Sequence, residues 1–253
     1  MDIFLRHRAP EDPVDPELIG HHHGHEKQGH HRHDLQGIWV AILIRRQEKI
    51  SCYSHLAGVF AAIAGTVYLI YVARTSVAHV VVSIVYGFSV ILLFLASATY
   101  HALKQNENEI SIWRKLDHSA IFFMIAGTYT PVCYVYLSGY WKWSVIIIQW
   151  ALVIAGLFLK FFYLKAPRYF STIIYLLMGW IGIVAIKEFL TTMPPNAVFY
   201  LFAGGMSFTV GAIFYAIKKP VFWSGLGFHE IFHLFVLLGG VFHYLLVYIA
   251  LAG

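Results

Sequence analysis

The hydrophobic pattern of this chain consists of long apolar segments separated by short polar connections. Seven segments run Ser54–Val72, Val80–His101, Leu116–Leu137, Trp143–Phe162, Ser171–Phe189, Ala197–Ile217 and Phe228–Leu251. Each has about twenty residues, the length at which a helix crosses the hydrocarbon core of a bilayer. The pattern therefore predicts an all-α polytopic membrane protein, a seven-transmembrane-helix bundle whose short connections make neighbouring helices antiparallel.

Composition excludes an ordinary soluble fold. Of the 253 residues, 59% are hydrophobic and only 12% are charged, whereas a soluble domain is roughly half apolar and about a quarter charged. The formal net charge is +5, but the Lys and Arg residues lie between apolar segments and form no basic face, so no nucleic-acid partner is expected. The two cysteines have no spacing typical of metal ligands. We expect membrane lipid to surround the chain.

The first 48 residues differ from the rest. They are polar and contain a His-rich tract from His21 to His33, a composition typical of a disordered segment. The chain is thus divided into an N-terminal arm, 1–48, and a membrane domain, 49–253. The arm could scavenge metal ions, or its histidines could have no function, and the sequence leaves both interpretations open.

The distribution of positive charge predicts the orientation. If the N-terminus is cytoplasmic, then of the 18 Lys and Arg residues all but Arg74, Lys142 and Lys187 fall on the cytoplasmic side. Positively charged connections are retained in the cytoplasm. We therefore predict a cytoplasmic N-terminus and an external C-terminus in the cell membrane.

Ionisable residues within apolar spans are costly and are candidates for function. Ser97 and His101 lie one helical turn apart at the end of the second segment, and Asp117 opens the third. His229 and His233 open the seventh with the four-residue spacing at which one helix can bind one metal ion. Alternate segments cross in opposite directions, so all five residues are expected at one membrane depth, on the cytoplasmic side.

This grouping predicts a metal centre. Three neutral imidazoles with an open fourth position are typical of catalytic zinc, so His101, His229 and His233 are the predicted ligands of one Zn²⁺ ion. Asp117 could orient a water molecule or take its proton, and Ser97 could hydrogen-bond to a ligand or to that water.

Other polar residues in the spans are assigned lesser roles. His55 could approach the site, but an interfacial position is the favoured prediction for it and for His118. His243 lies too far along its helix to share the ion. Gln149 is expected to form a hydrogen bond between helices, and Gly204, Gly205 and Gly211 are expected to allow close packing.

The residues alone leave several functions open. The sequence from His229 to His233 satisfies HExxH, in which Glu230 would be the general base of a metalloprotease. A structural zinc in a receptor, pore or regulator is another possibility. A metal transporter is less favoured, because the ionisable residues cluster at one end of the helices.

Several motifs resemble the bacterial hemolysin III proteins, within the larger group that includes the progestin and adipoQ receptors. The resemblance covers about residues 48 to 253. Its motifs are Leu92–Ser97 with Tyr100-His101, Leu116–Ile121, Ala126–Pro131, Met178–Trp180, and the stretch from His229 through His233 to His243. The family's usual Asn before the first helix is not evident at Ser51-Cys52, and the His-rich arm lies outside the pattern.

The resemblance implies a seven-helix bundle with its N-terminus inside and a zinc ion held by His101, His229 and His233, with Ser97 and Asp117 in the same site. Receptor relatives are linked to ceramide hydrolysis, which implies a zinc-dependent hydrolase of membrane lipid amides or esters. The bacterial branch is named for cytolysis, and the alternative is therefore a receptor, regulator or cytolytic protein with a structural zinc.

Overall fold

A computed structural model describes residues 48–106, 109, 111–162, 168–220 and 226–253. Its elements are α1 (Lys49–Ala73), α2 (Val77–Leu103), α3 (Ile112–Tyr136), α4 (Gly139–Phe162), α5 (Arg168–Trp180), a 3-10 helix (Ile181–Ala185), α6 (Ile186–Thr192), α7 (Pro195–Ile217) and α8 (Phe228–Ala252). The predicted arm lies outside the described residues except for Glu48, so its disorder stays a prediction.

Seven helical stretches are long and apolar enough to cross a membrane, which confirms the predicted fold class. α1 to α4, α7 and α8 each form one span, and Phe170–Thr192 forms the fifth. The helices begin a few residues before the apolar segments because polar residues cap them: the Ser76 hydroxyl accepts a hydrogen bond from the His79 amide, and Ser111 accepts one from Arg114. The cytoplasmic position of the N-terminus stays a prediction from charge.

The fifth span is interrupted by the 3-10 helix, which hydropathy does not predict. Tyr129 of α3 reaches this break, where its hydroxyl donates to the Gly179 carbonyl and accepts from the Gly182 amide, both at 2.7 Å. Backbone groups released from a helix inside a membrane need partners within the protein. Tyr129 supplies them, so the break is stabilised by a residue from another span.

Small and polar residues hold the helices together, as predicted. The Gln149 side chain donates to the Met178 carbonyl at 2.9 Å. Gly204 of α7 packs against the His243 ring, and Gly211 packs against Phe235 of α8. Lipid tails are as apolar as leucine, so close packing and interhelical hydrogen bonds replace the hydrophobic effect between such helices.

The packing order brings one end of α2 close to one end of α8. α1 packs against both α2 and α8, and α3 packs against the same two helices. The last turn of α2 and the first turns of α8 therefore face each other across a space bounded by α1 and α3. The residues predicted to form the metal centre come from these turns.

Candidate metal centre

Three histidines converge where α2 ends and α8 begins. His101 and His233 are buried, with 0% and 2% of their surface exposed, and His229 is half-buried. The Nε2 atom of His229 lies 3.3 Å from Nε2 of His101 and 3.2 Å from Nε2 of His233. The three predicted ligands are thus brought together, with ligand atoms within 4.8 Å of one another.

These distances fit a tetrahedral metal ion. Ligand nitrogens about 2.0–2.1 Å from a tetrahedral centre lie about 3.3 Å from each other, and the two measured separations are 3.3 and 3.2 Å. The cluster could therefore hold a metal ion, and it is the one group of its kind among the residues that the structure describes.

Glu48 sets the orientation of His101. Its Oε2 atom accepts a hydrogen bond from Nδ1 of His101 at 2.6 Å, and its Oε1 atom accepts one from Nζ of Lys104 at 2.6 Å. With the proton of His101 on Nδ1, the Nε2 lone pair points into the cluster. Histidines that bind metals commonly donate their second nitrogen to a carboxylate in this way.

The Glu48 carboxylate is ionised in this position. Burial alone would raise its pKa, but the hydrogen bonds from His101 and Lys104 outweigh burial and hold the pKa at about 2. A negative charge beside His101 makes the imidazole a stronger donor of its lone pair to a metal.

His55 supports His233 in a similar way. Nδ1 of His233 lies 2.9 Å from Nε2 of His55, and the His55 ring packs edge-on against Phe94 at 5.2 Å between centroids. The prediction of an interfacial His55 is wrong, because its ring is buried, with 2% exposed. It turns inward because α1 packs between α2 and α8 at this depth.

A count of protons favours a cation in the cluster. If His101 donates to Glu48 and His233 donates to His55, each of these rings keeps an Nε2 lone pair that points at His229. Nε2 of His229 has at most one proton to donate. A shared cation would satisfy all three lone pairs at once.

Sequence reasoning did not assign a role to Glu48 and gave His55 the wrong one. The signal that could have found both is their spacing: seven residues, two helical turns, place them on one face of α1. Ser51 and Cys52 are buried on the same face. This stripe of polar residues lies at the end of α1 that is level with the other site residues. Polar side chains at that level indicate contact with the site.

Asp117 and Ser97 lie beside the histidines on the wall of one cavity. The Asp117 carboxylate interacts electrostatically with His101 and Ser97. The Ser97 hydroxyl is buried and has no hydrogen-bond partner in proper geometry among the described residues. All five predicted site residues are therefore neighbours, and Asp117 and Ser97 face the cavity next to the histidines.

The cavity has a volume of about 160 Å³ and extends along the bundle axis from Asp117 and His229 to His243. His243 follows His233 by ten residues, about 15 Å along the helix. Between these ends the wall is mainly apolar, with side chains such as Met124 and Phe208. One end is thus polar and the remainder suits a hydrocarbon chain. The prediction that His243 lies too far away to share the ion agrees with this geometry.

Glu230 does not face the histidines as a general base would. Its Oε2 atom accepts a hydrogen bond from the Gly227 amide at 2.8 Å, which caps α8, and Glu230 is absent from the residues that line the cavity. A carboxylate at a helix N-terminus stabilises that terminus. The HExxH match is therefore explained by helix capping.

Comparison with known proteins agrees with the motifs. The family described as Haemolysin-III related matches residues 44–244. The chain belongs to the hemolysin III family. It is 37% identical to Hemolysin-3 of Bacillus cereus over 197 residues, which cover 77% of this chain and 87% of that protein. It is 35% identical to a Hemolysin-3 homolog of Bacillus subtilis over 196 residues, 77% of this chain and 89% of that protein.

A more distant similarity extends to animals. The human monocyte to macrophage differentiation factor is 22% identical over 202 residues, which cover 77% of this chain and 80% of that protein. The family match of this hemolysin III protein covers α2, α3 and the first part of α8, the helices that carry the predicted site residues. The protein is accordingly a multi-pass protein of the cell membrane.

Proposed function

We propose that the protein is a zinc-dependent hydrolase of membrane lipid amides or esters. The observation that carries the proposal is the meeting of three imidazoles, Asp117 and Ser97 at the polar end of an otherwise apolar cavity. Structural polar groups in a membrane bundle are normally paired, whereas here a set of polar groups faces an open space beside a possible metal.

The donor set fits zinc. Three imidazole nitrogens and no thiolate form the ligand set of several zinc hydrolases, and the spacing of the Nε2 atoms suits a tetrahedral ion. In this site His101, His229 and His233 would hold the ion, while Glu48 and His55 keep two of the rings in place. Zinc bound there would polarise a carbonyl and lower the pKa of a water molecule.

The remaining residues have separate tasks. The Asp117 carboxylate accepts a proton at the cavity wall and returns it to the leaving amine or alcohol, as a general base and then a general acid. The Ser97 hydroxyl, which is buried next to Asp117, donates a hydrogen bond to the substrate carbonyl oxygen. The apolar wall holds the acyl chain and excludes water.

The position of the site suits a lipid substrate. The histidines lie in the terminal turns of two spans, a depth at which the amide or ester bonds of lipids join acyl chains to headgroups. The cavity then leads from this polar end into the apolar interior of the bundle. An acyl chain can therefore lie in the cavity while its carbonyl group lies beside the histidines.

A second candidate function has one observation in its favour. Relatives with 35% and 37% identity carry the name Hemolysin-3, and a cytolytic protein, receptor or regulator could use the same metal to stabilise the bundle. A purely structural zinc would have four protein ligands. Among the described residues only three ligating side chains meet, which favours the hydrolase.

Elemental analysis of the purified protein tests the metal centre. The histidines of the arm are first replaced by serine, so that they hold no adventitious metal. We expect one zinc per chain, lost in His101→Ala and His233→Ala and kept in Asp117→Ala. His79→Ala is the control, because His79 lies on the same helix α2 but at its other end, beside Tyr134.

Hydrolysis is then measured with fluorescent acyl amides and acyl esters in lipid nanodiscs. Release of fatty acid by the wild type but not by His101→Ala or Asp117→Ala would support the hydrolase. Zinc without hydrolysis would favour the structural role, and absence of zinc in the wild type would overturn the proposed metal centre.

A further inference from the structure

Lys160 lies at the same end of the bundle as the histidines, in the last turn of α4, and its ammonium group points inward. Nζ donates to the Ser171 hydroxyl at 2.6 Å and lies 3.4 Å from Nδ1 of His118. Ser171 is itself buried, with 8% exposed. A lysine near the end of a membrane span normally extends outward to the headgroups, so this direction needs an explanation.

The Lys160 ammonium forms no ion pair among the described residues, whose ion pairs all involve Glu48. The Tyr175 ring lies below it at 5.6 Å. Arg114 adds a second positive charge that repels the ammonium, and the more distant Asp117 carboxylate attracts it. A positive charge taken away from water without an anion is costly. Lys160 and Arg114 carry two positive charges against the single charge of Asp117, so an anion supplied from elsewhere would balance the second one.

The donors around Lys160 point to the kind of anion. The ammonium has three N–H groups and uses two of them on Ser171 and His118. Ser171 accepts from Lys160 through its oxygen, and its own O–H can donate to a further acceptor. An ammonium and a hydroxyl side by side fit the oxygens of a phosphate group.

This cluster opens into the cavity of the metal centre. His118, Ser171 and Tyr175 line the cavity together with Asp117. The prediction that His118 is merely interfacial therefore needs correction, because its ring lies between Lys160 and the cavity. Basic pockets between spans on the cytoplasmic side are known to bind anionic headgroups.

We propose that Lys160, Ser171 and His118 form a subsite for the phosphate of an anionic phospholipid, whose acyl chain enters the cavity. This inference rests on the proposed function in one respect: it names the class of lipid that the hydrolase would take. Binding at the subsite itself requires neither zinc nor hydrolysis, so each idea can fail alone.

Calorimetric titration of the full-length protein in dodecyl maltoside tests the subsite. The probes are dioctanoyl phosphatidic acid, dioctanoylglycerol, which lacks the phosphate, and inorganic phosphate. We expect the phosphatidic acid to bind at least tenfold more tightly than either of the others, because only it satisfies both the donors and the cavity. Equal binding of dioctanoylglycerol would overturn the subsite, and equal binding of inorganic phosphate would overturn its assignment to a lipid.

Substitutions then locate the binding. Lys160→Gln should weaken phosphatidic acid binding by about tenfold or more, and Ser171→Ala should weaken it to a lesser degree. Lys115→Gln is the matched control, because Lys115 lies at the same end of the bundle but its ammonium rests over the Phe161 ring. Equal effects of the two lysine substitutions would overturn the proposal.

Two further measurements separate the outcomes. Lys160→Arg keeps the charge and should retain binding, which distinguishes loss of the cation from misfolding of Lys160→Gln. His101→Ala should lose zinc yet bind phosphatidic acid as the wild type does. Loss of phosphatidic acid binding in His101→Ala, with the fold intact by gel filtration, would overturn the independence of the subsite from the metal.

Discussion

Replacing Glu48 by glutamine should weaken metal binding without removing any ligand. The carboxylate accepts the Nδ1 proton of His101 at 2.6 Å and is 5% exposed. Glutamine has nearly the same shape and can still accept a hydrogen bond, but it removes the negative charge that His101 and Lys104 share. Loss of such a supporting partner typically weakens metal affinity about 10- to 100-fold, or ~1.4–2.8 kcal/mol.

Competition with a fluorescent zinc chelator would measure the affinity in purified protein whose arm histidines are replaced. Glu188→Gln is the matched control, because Glu188 lies in α6, away from the cluster. Unchanged zinc affinity in Glu48→Gln would refute the role that we assign to the carboxylate.

The loss of zinc affinity in Glu48→Gln should hardly depend on pH. Burial raises the pKa of Glu48, but the hydrogen bonds from His101 and Lys104 outweigh it and lower the pKa from its ordinary value of 4.5 to about 2. The contribution of its charge is therefore fully present above pH 4.5 and is lost only as the pH falls towards 2. The ratio of wild-type to Glu48→Gln affinity should be the same at pH 6 and pH 8, and a ratio that changes between them would contradict this assignment.

Three other substitutions test separate parts of the structure. Asp117→Asn should keep zinc and lower the hydrolysis rate about 10²- to 10⁴-fold, the usual effect of losing a general base; an undiminished rate would exclude that role. Glu230→Gln keeps an oxygen that can accept from the Gly227 amide and loses only the negative charge at the helix N-terminus, so it should cost about 0.3–1 kcal/mol of stability and leave hydrolysis intact. Loss of hydrolysis in this variant would give Glu230 a catalytic role. Gly204→Ala places a Cβ against the His243 ring and should lower the free energy of unfolding by about 1–3 kcal/mol. Gly179→Ala, with open space around its Cβ, should leave the free energy of unfolding nearly unchanged.

The fold could be predicted because hydropathy directly reports which segments cross a membrane. The predicted bounds fall within the observed spans at both ends of nearly every helix, and the third helix begins earlier because Ser111 caps it. A hydropathy profile does not detect a break in a helix when the residues at the break are themselves apolar. The 3-10 helix after Trp180 has no proline, and its stability depends on Tyr129, which is distant in sequence.

The site was only partly predictable for a related reason. Depth along a helix follows from sequence, so His101, His229 and His233 could be placed at one level. The direction in which a side chain points around the helix depends on which neighbours pack there. His55, His118 and Lys160 all lie at the end of a span, where an outward direction is the usual expectation, and the packing of α1 and α5 turns them inward.

The three histidines come from distant parts of the chain, and this limits when a metal ion can bind during membrane insertion. His101 and His229 are separated by 128 positions, and α8 leaves the ribosome and enters the bilayer after the other six spans. A nascent chain that has inserted six spans carries only one of the three imidazoles, and α1 still lacks its partner at that edge of the bundle. A metal ion that requires all three imidazoles would therefore bind only after α8 has inserted, and its presence would mark a chain in which all seven described spans have entered the bilayer.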